Sequence, residues 1–445
     1  MARSERRALR AAGGAAVLAA AVAAGAALRR VLSTAERPCW PPPADAVTAA
    51  GARAATEAFV ADAGARRRDA ALPFAWSTLA TAEPWVEGEA FFPRIFDDVA
   101  AARSSVHILM FGWREGEVGT ALAALLERKA AEGVAIRVLI DGFGSKPYKE
   151  ARAMFSGMAA AGVRIVVNDV LPPARLGHFP HAQRVDPRQS ELGTADHRKL
   201  YVIDGEVAWT GGAGIEDHFR DGRFHDVMTR VTGDVVRQAQ AAFLTSFHAD
   251  GGRLPADLGP CFPEPADPGA VPVALAQVVP GGFAAATQAV REQIEGARTR
   301  LDVVNPYLTD RGMVDRIVAA ARRGARVRVI VSATSNSSQA GAALKHRYGE
   351  LLAAGAELHE IPGTVVHAKV VVADDTVSFG TLNLDAWSLH RDSEIMLLAR
   401  SAELAEAFEE RLIEPGIARA APGVPPAGGR ARLESALWHT LATFL

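Results

Sequence analysis

The sequence predicts an α/β protein built from two similar halves. Three observations carry this. The chain has 445 residues, 49% of them hydrophobic, which is more than one ordinary core holds and enough to pack two. An apolar strand, a loop, an amphipathic helix, a Gly turn and a β-branched strand follow one another in Ser104–Ser145, and the same order returns in Thr299–Ser338. A short motif, His-x-Lys-x4-Asp, then occurs once after each stretch, from His197 to Asp204 and from His367 to Asp374.

In chain order, residues 1–35 read first as a membrane segment. Arg3, Arg6, Arg7 and Arg10 precede an uncharged Ala-rich run, Ala11–Leu28, and Arg29 and Arg30 follow it. A spanning helix needs about 20 apolar residues, so the run is nearly long enough, although Ala and Gly insert weakly. The expectation is a cell-membrane protein with an N-terminal single-pass anchor. A cleaved signal segment, peripheral attachment and an ordinary Ala-rich helix are the alternatives. Positive charge before the run favours a body outside the cytoplasm, an inference that Arg29 and Arg30 blunt. Residues 36–88 read as a linker and N-terminal extension, opened by the stiff spacer Pro38–Pro43.

The first half is expected over residues 89–252. Its strand, helix and strand, joined at Gly133, form a βαβ unit and so a parallel pair. A second helix and strand, Ala153–Asp169, precede the hairpin that carries the motif. A Pro-rich connection follows over residues 253–272. The second half, residues 273–413, repeats the order with Gly324 at the turn, Tyr348–Pro362 as the second helix and strand, and His367–Asn383 as the hairpin. Residues 414–445 read as a linker and a C-terminal amphipathic helix that packs on the body or touches a membrane surface.

Composition narrows the chemistry. The formal net charge is −2, so no global attraction to nucleic acid is expected. Two cysteines, Cys39 and Cys261, exclude a disulfide framework and a Cys-rich metal site. Only six of the 49 Lys and Arg residues are Lys, and two of those six, Lys199 and Lys369, fill the same motif slot. A chain that uses Arg by default keeps an ammonium where a compact charge must point at one oxygen.

Residues two apart on a strand share a face, so His197 projects with Lys199 and His367 with Lys369. Asp204 opens a "DG" turn and Asp374 a "DD" turn, and both are expected to shape their turns rather than to transfer protons. Two imidazoles and two ammonium groups suit phosphodiester chemistry. One imidazole attacks phosphorus and becomes a phosphohistidine. The other protonates the leaving alkoxide and later deprotonates the acceptor. The ammonium groups hold the phosphoryl oxygens. No metal and no cofactor is expected.

The repeated HxKxxxxD resembles the mark of the phospholipase D superfamily. Within it the chain is most similar to the bacterial cardiolipin synthases, over about Phe91 to Ile413. "LIDGFGS", "NPYLTDRGMVDRIVAAARRGARVRVI" and "GTLNLDAWSLHRDSEI" carry that closer likeness. The resemblance implies two α/β halves about a pseudo-twofold axis, with the active site between them. It implies His197, Lys199, Asp204, His367, Lys369 and Asp374 as the site, with His197 as nucleophile and His367 as general acid/base. Asp226 and Glu394 would fix the histidine tautomers, and Asn383 would donate to a phosphoryl oxygen. The family's first-half Asn is absent, because Gly214 stands in its place after Gly211, Gly212 and Ala213.

The implied function is phosphatidyl transfer from an anionic phospholipid such as phosphatidylglycerol to a lipid or alcohol acceptor. A hydrolytic phospholipase D, a nuclease of the same superfamily and a non-catalytic lipid-binding scaffold are the alternatives. The long stretch before His197, "GHFPHAQRVDPRQSELGTAD", either shapes acceptor choice or is a tolerated insertion.

Overall fold

A computed structural model describes residues 49–62, 65, 74–146, 151–168, 183–184 and 195–442. Two sheets form its frame. The first runs, in spatial order, Thr81–Val86, Val227–Thr232, Val207–Gly211, Lys199–Ile203, Ser105–Met110, Ala135–Asp141, Arg164–Asn168 and Gln183–Arg184. The second runs Phe74–Leu79, Val271–Val279, Glu394–Arg400, Thr376–Gly380, Val370–Ala373, Arg300–Val304, Arg326–Ser332, Glu357–Ile361 and Ala421–Pro422, with Phe283–Ala284 paired to Val271–Val279. From Val227–Thr232 to Arg164–Asn168 in the first sheet, each strand has a counterpart in the second, from Glu394–Arg400 to Glu357–Ile361.

The predicted βαβ units explain the parallel part. Ser105–Met110 lies parallel to Ala135–Asp141, and Arg300–Val304 parallel to Arg326–Ser332. Helices Glu117–Ala131 and Arg311–Arg322 make the crossovers. Gly133 and Gly324 follow these helices at φ 89° and 94°, a left-handed turn that a side chain would strain. The motif strands then run antiparallel: Lys199–Ile203 on Ser105–Met110, and Val370–Ala373 on Arg300–Val304.

Alternation along the strands divides the core into three. Tyr201 and Ile203 face the outer helices of the first half, whereas Leu200 and Val202 face inward. Val371 and Ala373 face outward in the second half, whereas Val370 and Val372 face inward. The inward faces share one apolar cluster, filled by helix Val235–Ala249. That helix is buried along nearly its whole length, with Phe243 and Phe247 fully enclosed. It is buried nearly all round because it lies between two sheets, and its polar side chains find partners there: Gln238 donates to the Trp76 carbonyl at 2.9 Å and Gln240 Nε2 lies 2.8 Å from His107 Nδ1.

Two further segments complete the frame. The stretch expected to be linker ends in two strands, and the chain crosses between sheets at Ala80: Phe74–Leu79 pairs with Val271–Val279, Thr81–Val86 with Val227–Thr232. Pro84 is tolerated because its strand lies at a sheet edge. The C-terminal helix Gly429–Thr440 lies on Ser338–Lys345, with His439 stacked on His346 at 4.7 Å.

The expectation of an N-terminal single-pass anchor is corrected. Among the described residues no helix is long and apolar enough to cross a membrane. The longest of these, Glu117–Ala131 and Val235–Ala249, have 15 residues; the first buries one face and exposes the other, and the second is buried between the sheets. At 1.5 Å per residue they span roughly 22 Å, short of a hydrocarbon core of about 30 Å. The Ala11–Leu28 run and Cys39 lie outside the described residues.

Candidate active site

Each motif enters its sheet stitched to the other half. The His197 N–H donates to the Ser393 carbonyl at 3.0 Å, and the Ser393 N–H donates to the Ala195 carbonyl at 2.8 Å. Likewise the His367 N–H donates to the His225 carbonyl at 2.8 Å. Val365–Val366 there pairs in parallel with Phe224–His225. Ser393 and His225 directly precede Glu394 and Asp226. The stitching therefore brings each carboxylate to the histidine of the opposite half.

The Nδ1 of His197 lies 2.8 Å from a Glu394 oxygen, and the Nδ1 of His367 lies 2.8 Å from an Asp226 oxygen. Both carboxylates are fully buried. A carboxylate there holds the Nδ1–H tautomer and leaves Nε2 with its lone pair. Asp226 is itself held by the Val227 N–H at 2.7 Å, and Glu394 by the Thr381 hydroxyl. Gly212 lies so close that a Cβ there would stand 2.4 and 2.6 Å from the Asp226 oxygens and 2.7 Å from the His367 carbonyl. This accounts for Gly at that position.

The lysines project with their histidines. Lys199 and Lys369 are almost fully buried. Lys199 Nζ donates to the His197 carbonyl at 2.5 Å and sits over the Phe111 ring, 5.0 Å from its centre. Lys369 Nζ donates to the His367 carbonyl at 2.6 Å and lies 2.8 and 3.1 Å from the two ring nitrogens of His367. The rings are walled by aromatic side chains: Phe111 meets His197 edge-on at 4.8 Å, and Phe219 and Phe224 meet His367 at 5.2 and 5.4 Å.

Burial dominates the titration of this cluster. It lowers Lys199 to about 8 and Lys369 to about 7, against the pull of the carboxylates. It raises Asp226 to about 6 and Glu394 to about 7, against the lysines. Burial, then the two ammonium groups, pushes both histidines well below their ordinary value. A phosphodiester anion entering here would return positive charge to the lysines.

Asp204 and Asp374 lie at the far ends of the motif strands, roughly 17 Å from the lysines at 3.3 Å per residue. Asp204 accepts the N–H groups of Arg103, Ser104 and Ser105 at 2.7–2.8 Å. Asp374 accepts those of Arg298, Thr299 and Arg300 at 2.8–3.1 Å. Their φ values, 54° and 53°, mark left-handed turns. Neither carboxylate reaches the histidines. Asn383 is buried beside the cluster, and its carboxamide oxygen has no partner among the described residues.

Several supporting residues escaped the sequence reading. Arg198 pairs with Asp196 at 2.7 Å and donates across the molecule to Gln277 at 2.9 Å and to Ser246 at 2.8 Å. Asp141 accepts from the N–H groups of Phe143, Gly144 and Asp196 at 2.7–2.9 Å, so it fixes the approach to His197. The "DGFGS" stretch carries a sequence signal for this, an Asp capping a short turn. Arg198 carries none, because its partners come from three separate segments. Among the described residues, no group of three or more His, Cys, Asp or Glu is arranged to hold a metal ion.

Comparison with known proteins agrees with this geometry. The chain is 29% identical over 322 residues to a cardiolipin synthase of Geobacillus thermodenitrificans (strain NG80-2), covering 69% of this chain and 60% of that one. It is 26% identical over 344 residues to the cardiolipin synthase of Listeria welshimeri, covering 75% and 68%. The chain thus spans about three fifths of the length of the first of these relatives. The crystal structure of phosphatidylserine synthase from Haemophilus influenzae Rd KW20 superposes with a TM-score of 0.61 at 14% identity, covering 88% of this chain and 97% of that one, and so shares the fold. Residues 95–243 and 290–414 match the family described as cardiolipin synthase, PLD-like domain; with more than half of its length matched, the chain belongs to that family.

Proposed function

We propose that the protein is a phosphatidyltransferase acting on an anionic phospholipid such as phosphatidylglycerol, through a covalent phosphohistidine. One observation carries the reading: two buried His–Lys pairs, each histidine held at Nδ1 by a carboxylate of the opposite half. The kinship with cardiolipin synthases supports a phospholipid diester as donor.

His197 Nε2 attacks the donor phosphorus. A P–N bond forms as the P–O bond to the headgroup breaks, and His367, protonated at Nε2 once the diester anion has entered, gives that proton to the leaving alkoxide. In the second step His367 takes the proton of the acceptor hydroxyl. The acceptor oxygen bonds to phosphorus and the P–N bond breaks, which frees His197. Lys199, Lys369 and the Asn383 amide hold the non-bridging oxygens as charge builds. The roles of the histidines follow their lysines. Among the described residues Lys199 hydrogen-bonds the His197 carbonyl and not its ring, which leaves that ring free to attack. Lys369 touches the His367 ring nitrogens and, lowered to about 7, can restore a proton there.

The test uses labelled phosphatidylglycerol in mixed micelles, with and without added alcohol, and His197→Ala in parallel. Expected are cardiolipin plus glycerol, or the new phosphatidyl-alcohol, and an acid-labile phosphatidyl adduct on His197 found by mass spectrometry. Phosphatidic acid as sole product with alcohol present would make it a hydrolase. An adduct on His367 would reverse the two roles.

A further inference from the structure

The two halves differ most where the second presents Asn383. In the first half its counterpart, Gly214, has no side chain, yet the corner is not empty. A Cβ on Gly214 would lie 3.0 Å from Glu216 Oε1 and 2.8 Å from the Gly112 carbonyl. A Cβ on Gly112 would lie 2.3 Å from the same Oε1. The Glu216 carboxylate therefore occupies the space between two glycines. Its second oxygen lies 3.4 Å from Arg114 Nε and 3.7 Å from His218 Nδ1. The three side chains are between 19% and 26% exposed, so the group opens to solvent.

The corner is rigid and adjoins the chemistry. The Arg114 N–H donates to the Ile215 carbonyl at 3.1 Å, and the Ile215 N–H to the Gly112 carbonyl at 2.8 Å. His218 packs on Phe219 and Phe224 at 4.5 and 4.3 Å, and both of those rings pack on His367. Two ring layers, His218 and then Phe219 with Phe224, thus link Glu216 to the general acid/base. The residue at the same offset in the second half, Asp385, turns away to cap helix Ala386–His390 through the N–H groups of Trp387 and Ser388. Glu216 begins its own short helix without capping it.

An amide in this corner would donate to a phosphoryl oxygen. A carboxylate repels that oxygen and accepts instead from hydroxyl groups. We propose that Glu216, with Arg114 and His218, forms a subsite for the polyol end of the incoming acceptor and sets the preference for a polyol over a simple alcohol or water. The inference rests on the transferase reading. Arg114 and His218 line the carboxylate on its solvent side.

The first arm compares the full chain with Glu216→Gln in micelles of unlabelled phosphatidylglycerol with isotope-labelled glycerol or ethanol added, so that the transferred product carries the acceptor's label and the hydrolysed product is phosphatidic acid. It reads the ratio of transferred to hydrolysed product, which is independent of total rate. Losing a charged acceptor should lower the glycerol ratio about 10-fold and leave the ethanol ratio within about twofold. An unchanged glycerol ratio overturns the proposal. The second arm needs no turnover: saturation-transfer NMR of glycerol on lipid-free protein. A signal in the parent chain that Glu216→Gln loses supports the subsite, and equal signals or none overturn it. Absence of lipid turnover together with a Glu216-dependent glycerol signal would sink the transferase reading alone.

Discussion

The two motif hairpins make the same turn by the same means, yet their catalytic ends are supported differently. In the second half Thr381 gives its hydroxyl to Glu394, and Asn383 buries a carboxamide whose oxygen has no partner among the described residues. In the first half, Gly212 makes room for Asp226 from below, Gly214 offers nothing, and Glu216 fills the gap. The shorter Asp needs a glycine beneath it, whereas the longer Glu reaches a threonine. A duplicated scaffold thus keeps two identical His–Lys pairs while the groups around them diverge. On the proposed mechanism this divergence gives the Asn383 end to phosphoryl charge and the Glu216 end to the acceptor.

The crossed carboxylates give the largest expected effect. Glu394→Gln should slow formation of the adduct on His197, and Asp226→Asn should slow both its formation and its transfer to the acceptor, because His367 acts in both steps, each by roughly 10²- to 10⁴-fold with the fold retained. Rapid-quench kinetics separates the two: transfer from preformed adduct to the acceptor keeps its rate in the first variant and slows in the second. If both variants slow that transfer equally, the two halves are not specialised as their lysine contacts suggest.

This crossing also marks where the sequence stops being legible. The βαβ units, Gly133, Gly324 and the paired motifs were readable because each is local: a period, a turn or a spacing. Asp226 and Glu394 could be picked only by their place after each motif. Which histidine each serves is fixed by the strand stitching at Ser393 and His225, between segments some 140–200 residues apart. Phe74–Leu79 was hidden for the same reason, since its partner Val271–Val279 lies far along the chain. Gly214 was visible as a missing amide, but Glu216 as its replacement was not, because only packing shows which side chain fills a hole.

The turn aspartates should separate stability from chemistry. Asp204 accepts three N–H groups and the Ser104 hydroxyl, and Asp374 three N–H groups and the Thr299 hydroxyl. Asp204→Ala or Asp374→Ala should cost about 1–3 kcal/mol by leaving these donors unpaired, with the product ratio unchanged. Denaturant unfolding checks the cost, and equal losses in both variants would show that the turns, unlike the catalytic ends, remain equivalent. A selective loss of transfer at unchanged stability would place one of them in the chemistry instead.

The smallest effect lies in the protons. Lys199 and Lys369 are lowered to about 8 and about 7. A lowered lysine binds fewer protons in the folded state than in the unfolded one, so its contribution to stability is fully present above the unfolded value near 10.4 and is lost as pH falls through the folded one. An anion between the lysines raises both values again, so binding should take up protons between about pH 7 and 9. Calorimetry of inorganic phosphate binding in buffers of different ionisation enthalpy would read a fraction of a proton at pH 8. The two halves again part here. With Lys369 the lower, Lys369→Met should remove more of the uptake than Lys199→Met, and the reverse ranking would mean that the second half's ammonium already carries its charge before the phosphate arrives.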